Sequence, residues 1–183
     1  MKVLVLTGPE SSGKSWLGAE IQAHFGGELV GEYVRHFIDE QQRDTCYADI
    51  ATIATAQLAW EDAARRRQPP LLILDTHLLS NMLWSRVLFH DCPDWLEPAL
   101  LARHYDLHLL LSPDGVPWVA DGQRSQPALD DRRTFFEDSR RWLEQHRQPL
   151  QIIQGDWAGR RATVLAAVQR LLDDKPADCP TEC

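Results

Sequence analysis

Eight residues near the N-terminus, Gly8-Pro9-Glu10-Ser11-Ser12-Gly13-Lys14-Ser15, have the types and spacing that bind a chain of phosphates. The pattern G-x-x-x-x-G-K-[ST] works because its glycines let the backbone curl until consecutive N–H groups converge on one anion. The ammonium of Lys14 then reaches the outer phosphates of a nucleoside triphosphate, and the Ser15 hydroxyl takes a place on the accompanying Mg²⁺. Gly8, Glu10, Ser11, Ser12, Gly13, Lys14 and Ser15 are therefore the expected triphosphate contacts.

Other residues have the chemistry to act on such a ligand. Asp75 closes an apolar run and is the expected second Mg²⁺ anchor, directly or through water; the alternative is a helix N-cap. Glu32 is placed to take a proton from an attacking hydroxyl, or else forms an ion pair with Arg35 and has no chemical part. Arg124, in a loop after Gly122, is the expected cation on a transferring phosphoryl group, with Arg132 and Arg133 as alternatives. Trp118 and Trp157 fall in predicted loops where a flat ring can stack on a base, whereas Trp60, Trp95 and Trp142 have helical spacing and read as core. Gln57 either hydrogen-bonds an amide-bearing substrate or is a buried glutamine tied to backbone. The histidines show no metal-ligand spacing.

The elements that must hold these groups alternate between strand and helix, the pattern of a parallel sheet. Val3–Thr7 reads as a buried strand before the phosphate loop, and Leu17, Ile21 and Phe25 mark the inner face of the helix after it. Glu28–Gly31 reads as a second strand with Glu32–Arg35 at its end, and a polar stretch follows from Asp39 to Thr45. A long helix is predicted over Tyr47–Arg67, a strand over Leu71–Leu74, and helices over Leu78–Phe89 and Trp95–His104. Asp106–Leu111 is the fourth strand, Ser112–Leu129 a long loop, Asp130–Arg147 a helix and Leu150–Gln154 the fifth strand. A last helix carries the stripe Val164, Leu165, Val168, Leu171 and Leu172. One domain over residues 1–173, with a flexible tail over 174–183, accounts for the whole pattern. Ligands of an open parallel sheet bind beyond the carboxyl ends of its strands, which gathers Glu32, Asp75, the Trp118–Arg124 segment and Trp157 beside the phosphate loop.

Composition narrows the partners. A net charge of −8 argues against nucleic acid or an anionic membrane surface, so phosphate is handled by a few placed cations. The four cysteines make no C-x-x-C pair, and no apolar run is long enough to insert stably in a bilayer; with no signal peptide before Gly8, a reducing cytoplasmic location is expected.

In order along residues 2–172, Gly8-x-Glu10-Ser11-Ser12-Gly13-Lys14-Ser15, Glu32-Tyr33-x-Arg35, Asp75-Thr76 and Trp118-Val119-x-Asp121-Gly122-x-Arg124 resemble the ribosylnicotinamide kinase domain of NadR-type proteins, a P-loop domain of the AAA ATP-binding type. The resemblance implies an α/β P-loop kinase fold, with a five-stranded parallel sheet of order 2-3-1-4-5, helices on both faces and a lid loop. It implies transfer of the γ-phosphoryl group of ATP, with Mg²⁺, to the ribose 5′-hydroxyl of nicotinamide riboside. Lys14, Glu32, Asp75 and Arg124 become the implied catalytic residues, with either Glu32 or Asp75 as the base, and Ser15 and Asp75 the Mg²⁺ ligands, while Trp157 joins the ATP site. Glu32, Tyr33, Arg35, Gln57, Asp75 and Trp118 become the acceptor site, with Tyr33 and Trp118 against the nicotinamide ring. A functional link to a nicotinamide riboside permease is a further implication.

Two departures stand out. Asp75-Thr76-His77 replaces the family's usual Asp-Thr-Asp, a change expected to alter substrate or Mg²⁺ contacts. The His-x-Gly-His motif of the adenylyltransferase that commonly precedes the kinase is missing from the sequence, so a kinase standing alone is expected. The alternatives are a kinase for another nucleoside or small hydroxyl compound and a regulatory ATPase. A GTPase is disfavoured because no [NT]-K-x-D motif occurs.

Overall fold

The sheet is built from five short strands, most of them apolar on both faces, as strands covered on two sides must be. A computed structural model describes residues 1–174; Lys175–Cys183, nearly all of the expected tail, lie outside the described residues. In chain order the elements are β1 (Lys2–Thr7), α1 (Lys14–Phe25), β2 (Glu28–Val30), α2 (Tyr33–Gln41), α3 (Tyr47–Arg66) and β3 (Leu71–Asp75). They continue as α4 (Leu78–Phe89), α5 (Leu96–Leu101), β4 (Leu107–Leu111), α6 (Leu129–Gln145), β5 (Leu150–Ile153) and α7 (Trp157–Asp173). The strands are all parallel, in the order β2-β3-β1-β4-β5, with Val3 opposite Leu72 and Leu6 opposite Leu109. This is the P-loop kinase architecture expected.

Period-two alternation divides the strand side chains between two cores. Val3, Val5, Leu72 and Leu74 face α3, α4, α5 and α6, where Ala54, Met82, Leu100 and Phe135 close the layer. Leu4, Leu6, Leu71, Ile73 and Leu109 face α1 and α7, meeting Leu17, Ile21, Val164 and Val168. Buried apolar layers on both faces fix the sheet between its helices and leave its carboxyl edge to carry polar groups.

The structure departs from the sequence expectations in four places. Residues 33–41, expected as a strand end running into a polar stretch, form α2; Val34, Phe37 and Ile38 make a short apolar stripe at i, i+3 and i+4 among polar residues, and of these only Phe37 is buried. The helix expected over Trp95–His104 is only Leu96–Leu101, because Arg103 turns away to pair with Glu61 (3.0 Å) and Asp62 (2.7 Å). Trp60 and Trp95 are not core: they are 38% and 37% exposed, while Trp142 is buried at 6%. Trp157 is not in a loop but opens α7, directly after Asp156, whose carboxylate caps the helix by accepting from the Gly159 N–H at 2.7 Å.

Candidate active site

Two glycines of the phosphate loop are fixed by geometry. Gly8 has φ 136°, and a Cβ there would lie 2.7 Å from the Leu111 carbonyl oxygen. Gly13 has φ 95°, and a Cβ would strike the Trp157 ring at 2.6 Å. Both sites therefore exclude a side chain by backbone and by space. The Lys14 ammonium donates to the carbonyls of Gly8 and Pro9, each at 2.9 Å, so it sits within the curve of the loop. Ser12 is buried and its hydroxyl closes the loop on the Pro9 carbonyl at 2.9 Å, whereas Ser15 is exposed. Trp157 lies over Gly13 and meets Trp16 edge-on at 5.2 Å, 43% exposed beside the loop.

The loop forms one wall of a cleft of about 470 Å³, within the usual size range of small-molecule sites. Glu32 and Arg35, from the start of α2, and Gln123, Arg124 and Ser125 reach the same cleft. The far wall is apolar: Val34 and Ile38 of α2, Ile50 and Ile53 of α3, and Trp84, Leu88 and Phe89 of α4. Trp84 is braced from behind by Phe135, 4.9 Å between ring centres. Asn81 of α4 also lines the cleft; neither it nor the apolar wall is marked in the sequence, because the lining residues of α3 and α4 have the same helical spacing as core residues.

The charged groups are coupled. Burial pushes the Glu32 carboxyl above its ordinary range; the Lys14 ammonium opposes this, and the negative charge of Asp75 adds to it. Glu32 also pairs with Arg35 at 3.3 Å, so the ion pair exists and the carboxylate still faces the cleft. Asp75 is 6% exposed and its Oδ1 is buried without a hydrogen-bond partner. It does not cap α4, whose N-cap is His77. Arg124 is bound within its own loop, Nε to Asp121 at 3.1 Å and Nη1 to the Val119 carbonyl at 2.6 Å. The alternatives lie elsewhere: Arg132 is buried against the Val116 carbonyl, and Arg133 pairs with Asp114 at 2.8 Å on the surface.

Several expected acceptor residues do not reach the cleft. Gln57 is 2% exposed and fully engaged, accepting from the Tyr33 N–H at 2.7 Å and donating to the Gly31 carbonyl at 3.2 Å. Its role is to join α3 to the turn between β2 and α2. Tyr33 packs edge-on against Trp60 at 4.9 Å, away from the cleft lining. Trp118 gives its indole N–H to Glu10 at 3.2 Å. Glu10, expected on the triphosphate, has its carboxylate on this loop instead. His77 is wholly buried against His108 and Tyr105, so the departure from Asp-Thr-Asp alters the core and not the cleft surface.

One residue with no sequence signal organises the whole edge. Arg160 of α7 is fully buried and donates to the carbonyls of Gly155 (2.7 Å), Ser112 (2.9 Å), Asp114 (2.9 Å) and Ser12 (3.4 Å). A single guanidinium thus ties the phosphate loop to the exits of β4 and β5.

Known proteins share this fold. The trifunctional NAD biosynthesis/regulator protein NadR of Salmonella typhimurium is 23% identical over 182 residues, 96% of this chain. That alignment takes in 44% of NadR, so the chain spans less than half the length of this relative. A crystal structure of NadR protein in complex with NR superposes with a TM-score of 0.78 at 22% identity, covering 95% of this chain and 52% of that one. A deoxyadenosine kinase from M. mycoides with bound dATP superposes at 0.63 and 15% identity, over 92% of this chain and all of the other. The resemblance to NadR-type proteins read from the motifs is thereby borne out. Phosphate loop, α2, the acidic end of β3 and the buried Arg160 all fall within residues 3–160, which match the model of a family described as an AAA domain, and the chain belongs to that family.

Proposed function

We propose that the chain is a kinase that moves the γ-phosphoryl group of ATP to a hydroxyl of a nucleoside, with the ribose 5′-hydroxyl of nicotinamide riboside as first choice. The observation that carries this is the single cleft in which the phosphate loop, the partly buried Glu32 carboxylate and Arg124 meet an apolar wall. In the proposed step Glu32 takes the proton of the acceptor hydroxyl, whose oxygen bonds to the γ-phosphorus as the bond to the bridging oxygen breaks and ADP leaves. Lys14 and Arg124 offset charge on the phosphoryl oxygens in a loose transition state, where positioning and electrostatics supply most of the rate.

The residues present suit Mg²⁺. The exposed Ser15 hydroxyl and the partnerless Asp75 Oδ1 are oxygen donors at the right edge. Among the described residues no group of three or more protein ligands converges there, and Mg²⁺ ordinarily takes one or two protein oxygens and fills its shell with phosphate and water. When bound it would offset negative charge on the β- and γ-phosphates.

The NadR structure that holds NR and the NAD-biosynthetic name of the curated relative support nicotinamide riboside as acceptor. A second reading, another nucleoside, is favoured by one observation: Tyr33 and Trp118, the rings expected to hold nicotinamide, do not line the cleft, and Trp84 does. The purified protein is incubated with Mg-ATP and a panel of nucleosides, following ADP release. Turnover confined to nicotinamide riboside is expected; turnover confined to another nucleoside selects the second reading, and hydrolysis independent of any acceptor overturns both. Lys14→Ala should lower turnover at least ~100-fold with an unchanged circular dichroism spectrum, given what single preorganised charges contribute.

A further inference from the structure

Two of the four variable residues of the phosphate loop, Glu10 and Ser11, spend their side chains on the loop that follows β4. The Glu10 carboxylate accepts from the Ser125 N–H at 2.9 and 3.1 Å, from the Gln126 N–H at 3.0 Å and from the Trp118 indole N–H at 3.2 Å. Ser11 Oγ accepts from the Val119 N–H at 3.1 Å. Both ends of the segment 118–126 are thereby pinned to the phosphate loop. Between the pins Asp121 accepts from the Gln123 and Arg124 N–H groups, both at 3.1 Å, which winds the turn that presents Arg124.

We propose that Glu10 is a positioning residue: it clamps this segment as a lid and so sets Arg124 over the phosphates, without itself binding nucleotide. An ionised carboxylate holding three N–H donors is a strong, directional anchor, stronger than any neutral side chain at that position provides. The backbone N–H that Glu10 holds most closely belongs to Ser125, the residue bonded to Arg124, so loss of the clamp frees the arginine at its own peptide bond. The opposite flank is fastened to α2, where Arg35 pairs with Asp121 at 2.8 Å and Gln123 donates to Asp39 at 2.6 Å. The lid therefore bridges the phosphate loop and the helix that carries Glu32, and Glu10 is its attachment on the phosphate side.

The Arg124–Ser125 bond is itself a trypsin site, which gives a readout independent of catalysis. Limited trypsin digestion followed by mass spectrometry should show cleavage after Arg124 at least ~10-fold faster in Glu10→Ala than in the native protein, with other sites unchanged and the thermal midpoint kept. Glu10→Gln, which keeps one acceptor oxygen, should fall between the two. The kinetic arm rests on the phosphotransfer reading: kcat should drop ~10-fold or more in Glu10→Ala while KM for ATP shifts less than ~3-fold. Trp118→Phe should lower kcat by a smaller factor and add little to Glu10→Ala, because the two share one contact. Unchanged cleavage after Arg124 overturns the clamp, as does a rise in KM for ATP at constant kcat, which would make Glu10 a nucleotide contact. If no acceptor is ever phosphorylated, the kinase reading fails and the cleavage experiment alone decides the clamp.

Discussion

A base for a hydroxyl must be deprotonated and still hold a proton well, and Glu32 is set between those demands. Burial and the nearby Asp75 charge raise its pKa; Lys14 and Arg35 stop it rising further. The carboxylate form predominates only above that raised value, so the acid limb of kcat/KM against pH should lie above the ordinary glutamate range near 4.3. Glu32→Gln should cut kcat at least ~10-fold and remove that limb from the profile, as measured by ADP release across pH 4–8. An unshifted limb, or one that survives in the Gln variant, would assign the titration to another group. The same residue shows the reach of sequence reasoning: its carboxylate was legible from its place after β2, while the environment that makes it basic was not.

At the scale of elements, the phosphate loop holds its shape because β4, β5 and α7 are brought to it by Arg160. Replacing this arginine by methionine keeps much of the volume and leaves the carbonyls of Gly155, Ser112 and Asp114 without their donor. Gly155 and Asp114 are exposed residues whose carbonyls can turn to water, while Ser112 and Ser12 are buried; a buried group left unpaired costs about 1–3 kcal/mol, so Arg160→Met should lose roughly 1–3 kcal/mol in urea melts and weaken nucleotide binding together with stability. A stable variant would mean that water replaces the guanidinium. Arg160 was invisible in the sequence because an arginine on an amphipathic helix ordinarily points outward, and nothing local says that this one turns in. The strands, by contrast, were legible to within a residue or two, because apolar runs buried on two faces need no partner to be recognised. The long helices α3 and α4 were legible from their apolar spacing. Helix α2 was not: its stripe is three residues, Val34, Phe37 and Ile38, in nine, too short a span for the spacing to stand out, and two of the three line the cleft while only Phe37 enters the core. The far wall of the cleft was lost with it, and with that wall the residues that contact an acceptor ring.

Across the whole molecule, the least expected polar feature sits inside the core, where His77 at the start of α4 meets His108 of β4. His108 Nδ1 lies 3.1 Å from the Pro149 carbonyl, which can only accept, so Nδ1 carries the proton and Nε2 is a bare acceptor. His77 Nε2, 3.3 Å away, must then donate, and His77 Nδ1 is left buried with no partner. Tyr105 packs edge-on against both rings and is itself hydrogen-bonded to Glu61. Burial holds both imidazoles neutral: His108 is pushed down to about 4, and His77 well below its usual value by burial and by its partner. Both folded pKa values lie below the unfolded value near 6.5, so the unfolded chain binds more protons as pH falls. The stability these neutral rings contribute is complete above about pH 6.5 and drains away as pH drops toward 4, with a slope approaching ~1.4 kcal/mol per pH unit for each ring. Most carboxylates titrate below this window, which isolates the histidines between pH 6.5 and 5. Urea unfolding at half-unit steps should show the native protein losing stability across that window. The double variant His77→Leu/His108→Leu, in which both polar partners leave together, should fold with a much flatter profile there. Equal slopes in the two proteins would mean that the pair is already charged, or already hydrated, in the folded state.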